Sequence, residues 1–158
     1  MSDPGAEEHY EYVNEVEWTQ GRRGRLSSSG LEDIVVASPP EFGGEAGVWN
    51  PEQMLLGAAN ACLMVTFVAV ALKMRLAWTG YRCAARAHLG RGADGKYAIT
   101  RIEYFPRVTV ADPLDAERAR RALEKAEANC LIAHSLKYPG TVTPTVEAAA
   151  APAPPPAR

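Results

Sequence analysis

Residues 50–67 read NPEQMLLGAANACLMVTF and contain one charged side chain, that of Glu52. Asn50 is a good helix N-cap, and Pro51 suits the first helical position. Residues 54–72 carry no charge, and a single thiol, Cys62, lies inside them. The pattern predicts a long helix that is apolar on all sides and therefore buried.

We expect this helix to run to about Trp78, before Gly80, which makes it about 42 Å long. A domain of this size has a radius of gyration of only about 15 Å. A helix of that length fits better between two protomers, so we expect a homodimer. The uncharged run also meets the length rule for a membrane span. It is rich in Ala and Gly, however, and carries Asn60 and Thr66, so we expect no membrane insertion.

Composition narrows the class of protein. The chain has 158 residues, a net charge of -2 and a pI near 5.9, which argues against nucleic acid as a partner. Its three cysteines form no CxxC motif, and its acidic start lacks the order of a signal peptide, so a reducing cytoplasm is expected. We predict one domain, residues 9–147, between a disordered start (1–8) and a disordered Ala/Pro-rich tail (148–158).

The rest of the chain alternates between short strands and helices. Its pattern predicts the order β-β-α-β-β-α-(α)-β, an α+β fold with antiparallel sheets around the long buried helix. The first hairpin joins two strands through the turn QGRRGR, and a second strand pair follows the long helix. A helix is expected from Pro113 to about Glu127, then a short helix capped by Asn129, and TVTPTVE (141–147) closes as an edge strand.

The three thiols have different local settings. Cys62 and Cys83 lie in apolar patterns typical of small buried hydrophobes. Cys130 follows Asn129 at a predicted helix start, where free N–H groups stabilise a thiolate. His134, four residues further on, is an alternative base for a Cys/His acyl-transfer enzyme. A zinc site from Cys62, Cys130 and His134 lacks a fourth ligand.

Two motifs together resemble the OsmC/Ohr family of organic hydroperoxide reductases. The first is SPPEFGGEAGVWNPEQMLLGAANAC, ending at Cys62, and the second is NCLIAHSL, which contains Cys130. The arginine turn QGRRGR is a third point of similarity. The resemblance covers roughly residues 10–147 and implies an OsmC-like fold and an intertwined homodimer. Family members often have Cys-Pro-x-Ser at the second motif, whereas this chain has CLIAHS.

The resemblance also implies roles for four residues. Cys62 is the peroxidatic thiol, Cys130 the resolving thiol, Arg22 the arginine that holds the thiolate, and Glu52 the carboxylate that positions the arginine. Arg23 is the alternative to Arg22. Because Glu52 and Cys62 are about 15 Å apart along a straight helix, we expect a kink near Gly57 or, better, a two-fold partner to complete the site.

The implied reaction is reduction of an organic hydroperoxide through a Cys62 sulfenic acid and a Cys62–Cys130 disulfide. An external dithiol, typically a lipoyl group on a protein partner, re-reduces the disulfide; no metal, flavin or haem is implied. Apolar walls are expected to favour an alkyl substrate; the residues are Met54, Leu55, Leu63, Met64 and Phe67. A redox sensor or thiol-ligand binding protein with the same disulfide is the binding-class alternative.

Overall fold

The computed structural model describes residues 9–149, and the chain divides into two compact units between Met54 and Leu55. The first unit holds a three-stranded antiparallel sheet in the order β1-β2-β3. Its strands are β1 (Glu15–Gln20), β2 (Arg23–Ser27) and β3 (Ile34–Ala37). A 3-10 turn, Pro40–Phe42, follows, and helix α1 (Pro51–Lys73) begins in this unit.

The prediction of a two-stranded opening hairpin is wrong in one respect: it missed the strand β2, which lies between β1 and β3. Arg23, Gly24 and Arg25 of the predicted turn belong to β2, which pairs with β1 on one side and β3 on the other. The turn consists of Gly21 and Arg22, and Gly21 adopts a φ of 53°. A five-residue strand that contains two arginines and a glycine shows no clear alternation, so the sequence did not reveal it.

The second unit contains most of α1 and a four-stranded sheet. Its long strands, β4 (Trp78–Arg91) and β5 (Tyr97–Val110), pair antiparallel over almost their whole length. Helices α2 (Ala116–Ala128) and α3 (Leu131–Ser135) follow, with a 3-10 turn before α2. Strands β6 (Thr141–Val142) and β7 (Thr145–Ala148) both pair with β5, in parallel. The expected single edge strand is thus two short ones, and this sheet is mixed.

The core of the second unit forms where α1 contributes a stripe of side chains at i, i+4 spacing. Ala59, Leu63, Phe67 and Ala71 are buried, and the Phe67 ring lies 5.1 Å from that of Tyr81, centroid to centroid. Helix α2 adds its own buried face to the same cluster, made of Ala119, Ala122, Leu123 and Ala126. Several apolar side chains on the rest of α1 are exposed in the single chain; they include Leu55, Met64, Val65 and Leu72.

Helix α1 is shorter than predicted. It ends at Lys73, so its 23 residues span about 34 Å rather than 42 Å. Arg75 adopts a left-handed conformation with a φ of 51°, and the N–H groups of Arg75 and Leu76 return to Leu72 and Ala71. These two hydrogen bonds form a Schellman motif, which stops a helix. Since the left-handed residue is an arginine and not a glycine, no stop signal is visible in the sequence before Gly80.

The chain remains ordered slightly beyond the predicted domain end. Ala148 is the last residue of β7, and the Ala149 N–H donates to the Val110 carbonyl at 2.8 Å. The other residues of both predicted disordered ends lie outside the described residues. Within residues 9–149, one helix, Pro51–Lys73, is long and apolar enough to cross a membrane, a test that the core helix of a soluble protein also passes.

Candidate functional site

The second unit brings Cys62 and Cys130 together, although 67 residues separate them in the chain. Cys62 lies on α1, and Cys130 is the N-cap of α3. The contact is made by the first turn of α3, where the backbone N–H of Ile132 donates to Cys62 Sγ at 3.5 Å. Both thiols are free, with Cys130 buried and Cys62 partly exposed. The two helices therefore present one accessible sulfur and one enclosed sulfur to each other.

Helix α3 begins directly after the end of α2, and the residues between the two helices set its position. Asn129 is the C-cap of α2, and its N–H bonds back to the carbonyls of Ala126 and Glu127. Cys130 then takes an extended conformation, and its carbonyl accepts the N–H of His134 at 3.1 Å. The predicted capping arrangement is wrong by one residue, because Cys130 itself is the N-cap. The free N–H groups of α3 consequently face the sulfur of Cys62.

The surroundings push the pKa values of the two thiols in opposite directions. Burial raises the pKa of Cys62, but the Ile132 N–H, followed by the Cys130 thiol and the Thr66 hydroxyl, outweighs it, and the pKa falls below its ordinary value. Burial raises the pKa of Cys130, and its position beside Cys62 adds to that rise. Of the two thiols, Cys62 is therefore the one that ionises more readily.

This polarity reverses the local interpretation of the sequence. Cys130 had the better local setting for a thiolate because it begins a helix, whereas Cys62 lay in an apolar run. The N–H groups that were expected to stabilise Cys130 instead stabilise Cys62, across a tertiary contact. Thr66 lies one helical turn after Cys62, and that i, i+4 spacing was the sequence signal that could have identified it.

Tyr104, which is buried, and Tyr81 and Cys83, which are half-buried, lie on the face of β4–β5 that packs against this core. Tyr104 is only 3% exposed, and neither its hydroxyl nor that of Tyr81 has a hydrogen-bond partner within residues 9–149. Burial, and then the charges of the three thiols, raises the pKa of Tyr104 to about 12. Cys83 is half-buried, and burial raises its pKa as well. The thiol of Cys83 is therefore harder to ionise than an ordinary cysteine thiol.

The predicted arginine and carboxylate lie in the first unit. Arg23 forms a two-pronged ion pair with Glu45, with N–O distances of 2.6 and 2.7 Å. Arg22 makes no ion pair within residues 9–149, and its guanidinium lies against Gly43, where an added Cβ would be 3.7 Å from it. Of the two candidates, Arg22 is therefore the guanidinium available for a thiolate.

Glu52 does not hold Arg22 in this structure. Within residues 9–149 the Glu52 carboxylate forms no ion pair, and its Oε2 atom is buried without a hydrogen-bond partner. Helix α1 is continuous through Gly57, so the chain does not break there. The assembly of Arg22 and Glu52 with Cys62 stays a prediction, as does the two-fold partner expected to complete it.

The five predicted wall residues do not share one environment. Leu63 and Phe67 are core residues with 2% and 0% exposure. Leu55 and Met64 are exposed, and Met54 is half-buried. Contact of these five side chains with a substrate stays a prediction.

The alternative chemistries find little support in the described residues. His134 is exposed, and within residues 9–149 its ring makes no hydrogen bond to Cys130. Over the same part of the chain, no group of three His, Cys, Asp or Glu side chains could hold a metal ion. Neither a Cys/His acyl-transfer site nor a zinc site is formed by these residues.

Two free thiols thus lie beside each other on an α+β scaffold. The model of the family described as OsmC-like protein matches residues 44–145 of this chain. The chain belongs to the OsmC-like family. This result confirms the family predicted from the two cysteine motifs, and the α+β fold with it.

Individual relatives agree with this assignment. The uncharacterized protein YmaD of Bacillus subtilis (strain 168) is 26% identical over 135 residues, which cover 82% of this chain and 88% of YmaD. An OsmC-like protein of unknown function from Vibrio cholerae is 21% identical, with a TM-score of 0.74 over 89% of this chain and 99% of its own. An organic hydroperoxide resistance protein OsmC from Legionella pneumophila is 20% identical, with a TM-score of 0.65 over 91% and 100%. At these identities the solved structures establish a shared fold.

Proposed function

We propose that the protein is a thiol-dependent peroxidase that reduces organic hydroperoxides to alcohols. The observation that carries the proposal is the contact at the thiol pair: Cys62 Sγ accepts the Ile132 N–H at 3.5 Å, and burial and the nearby Cys62 raise the pKa of Cys130. A peroxidatic cysteine must attack as a thiolate, and a resolving cysteine must wait as a thiol. Membership of the OsmC-like family, which includes hydroperoxide resistance proteins, supports the same reaction.

The proposed cycle begins with attack of the Cys62 thiolate on the distal oxygen of ROOH. The O–O bond breaks, Cys62 becomes a sulfenic acid, and the leaving alkoxide takes up a proton to form ROH. The Cys130 sulfur then displaces the sulfenic hydroxyl, which leaves as water, and the two sulfurs form a disulfide. A dithiol, proposed to be of the lipoyl type and carried by a protein partner, reduces this disulfide and is itself oxidised.

We also propose that the working form is a cytoplasmic homodimer that does not insert into a membrane. Exposed apolar side chains on each unit support this, since a monomer rarely leaves so many uncovered. On α1 they include Val65 at 54% and Leu72 at 63%, and in the first unit Val16 at 63% and Trp18 at 72%. A partner subunit could then supply Arg22 and Glu52 to Cys62. Neither a metal nor a bound cofactor enters this cycle.

The test is to follow consumption of cumene hydroperoxide with dihydrolipoamide as the reductant. Cys62→Ser should abolish consumption, and Cys130→Ser should stop turnover after about one equivalent and leave a sulfenic acid that dimedone traps. Cys83→Ser is the matched control and should retain turnover. Full activity in Cys62→Ser would refute the proposal, and sub-stoichiometric consumption by the unaltered protein would favour a redox sensor.

A further inference from the structure

The outward face of the β4–β5 hairpin concentrates arginine side chains. Along β5 the buried residues alternate with outward ones, so Arg101, Glu103, Phe105 and Arg107 share the side away from the core. The strand register sets four β4 residues opposite them: Arg82 faces Arg107, Ala84 faces Phe105, Arg86 faces Glu103, and His88 faces Arg101. We call this surface the arginine face.

Two of these arginines are directly opposed without enough counter-charge. Side chains at opposite positions of an antiparallel pair have Cβ atoms about 5 Å apart, and like charges there are destabilising. Arg107 has an ion pair with Glu147 on β7, with an N–O distance of 3.4 Å. Arg82 has no ion pair or hydrogen bond within residues 9–149. One guanidinium at this end of the face is therefore unmatched.

The other carboxylate on the face is already engaged. Glu103 accepts a contact from the His88 ring at 2.7 Å and has Arg101 at 3.6 Å. Its pKa is lowered, first by the hydrogen bond with His88 and then by the nearby arginines. Glu103 consequently cannot also neutralise Arg82, and one unmatched positive charge remains at this end of the face in a chain whose net charge is -2.

A depression lies between the two opposed arginines. It measures about 620 Å³ and is lined by Arg82, Cys83, Ala84, Phe105 and Arg107. Ala84 leaves room above Phe105, whose ring is also covered by Arg86, with the guanidinium 5.5 Å from the ring centroid. The surface thus combines two guanidinium groups with one half-buried aromatic ring.

We propose that the arginine face docks an acidic segment of a protein partner. Carboxylates of that segment would bridge Arg82 and Arg107, and a neighbouring apolar side chain would rest on Phe105. Guanidinium forks match carboxylates in shape as well as charge. Glu103 and Glu147 disfavour a nucleic acid here, because a continuous row of phosphates would be repelled by both, whereas spaced carboxylates avoid them. The proposal is independent of the peroxidase chemistry, since the arginine face points away from the core that contains Cys130.

Fluorescence anisotropy with a labelled peptide of Glu-Glu-Leu repeats tests this directly. We expect saturable binding at low salt that weakens at about 0.15 M salt. The double variant Arg82→Gln, Arg107→Gln should raise the apparent Kd by about tenfold, because two exposed ion pairs are lost. Arg120→Gln, an exposed arginine on α2, is the matched control and should bind like the unaltered protein.

The outcomes separate the proposal from its rivals. A peptide of Gln-Gln-Leu repeats should not bind, and a single-stranded oligothymidylate of equal charge should bind more weakly than the acidic peptide. Because Arg82→Gln removes a like-charge pair, circular dichroism should show a melting temperature no lower than that of the unaltered protein. Absent peptide binding, equal binding by the double variant, or tighter binding of the oligonucleotide would each overturn the proposal.

Discussion

The polarity of the thiol pair can be tested by removing one backbone N–H group. Ile132→Pro deletes the donor to Cys62 Sγ, and residue 132 lies in the first turn of α3, where proline causes least damage to a helix. A hydrogen bond to a charged group contributes about 1.5–3 kcal/mol. Because Cys62 is partly exposed, solvent screens the interaction and the lower value applies. The ionisation constant of Cys62 should therefore fall by about tenfold.

The assay is the rate of iodoacetamide alkylation as a function of pH, with each cysteine followed by peptide mass spectrometry. An ordinary thiol is a few per cent ionised at pH 7. At pH 7 the alkylation rate at Cys62 should be more than a few per cent of its high-pH plateau rate, because the pKa of Cys62 is lowered. The rate at Cys130 should be a smaller fraction of its own plateau rate, because the pKa of Cys130 is raised. In Ile132→Pro the pH profile of alkylation at Cys62 should move to higher pH, and the plateau rate at high pH should not fall.

Ile132→Ala is the matched control, since it keeps the N–H and removes only the side chain. Its Cys62 profile should coincide with that of the unaltered protein. If the proline variant leaves the profile in place, the Ile132 N–H does not stabilise the thiolate. If Cys130 titrates at lower pH than Cys62, the assigned roles of the two thiols are reversed and the proposed cycle fails.

Two stability predictions concern residues that support the site. Phe67→Ala removes a fully buried ring that packs 5.1 Å from the Tyr81 ring. In chemical denaturation this variant should lower the free energy of unfolding by about 3–5 kcal/mol. A loss below about 1 kcal/mol would mean that Phe67 is not a core residue. Gly140→Ala should lower it by about 2–5 kcal/mol, because φ is +99° and the new Cβ would lie 2.6 Å from the Tyr104 ring. Gly95→Ala, with φ +77° and no atom within 4 Å of the new Cβ, should show only the backbone part; equal losses in both variants would refute the steric contact.

The sequence predicted those elements whose signals are local. Asn50 caps α1 as expected, with its side chain accepting the Gln53 N–H at 2.8 Å. The strand pair expected after the long helix is present as β4 and β5. The signals failed where a partner decides the conformation. Arg75 ends α1 in a left-handed conformation that arginine rarely adopts, and it does so beside Arg118, whose guanidinium donates to the Arg75 carbonyl at 3.2 Å.

The thiol pair shows the same division between local and tertiary information. The link between Cys62 and Cys130 came from the resemblance to a family, because no spacing rule joins two residues so distant in sequence. The direction of polarisation came only from the fold, since it depends on the Ile132 N–H reaching a sulfur on another helix. Local reasoning preferred Cys130 as the thiolate, since a helix start is visible in the sequence and a helix–helix contact is not.

The opposite pKa shifts also provide an order for the proposed steps. Cys130 resists deprotonation partly because it lies beside the Cys62 sulfur, whose negative charge and hydrogen bond favour the protonated form of Cys130. Oxidation of Cys62 to a neutral sulfenic acid removes that negative charge. The pKa of Cys130 should then fall, so Cys130 becomes a nucleophile only after Cys62 has reacted. A resolving thiol with its own activating arginine would compete for peroxide from the start. Burial and a neighbouring thiolate delay Cys130 without any further residue.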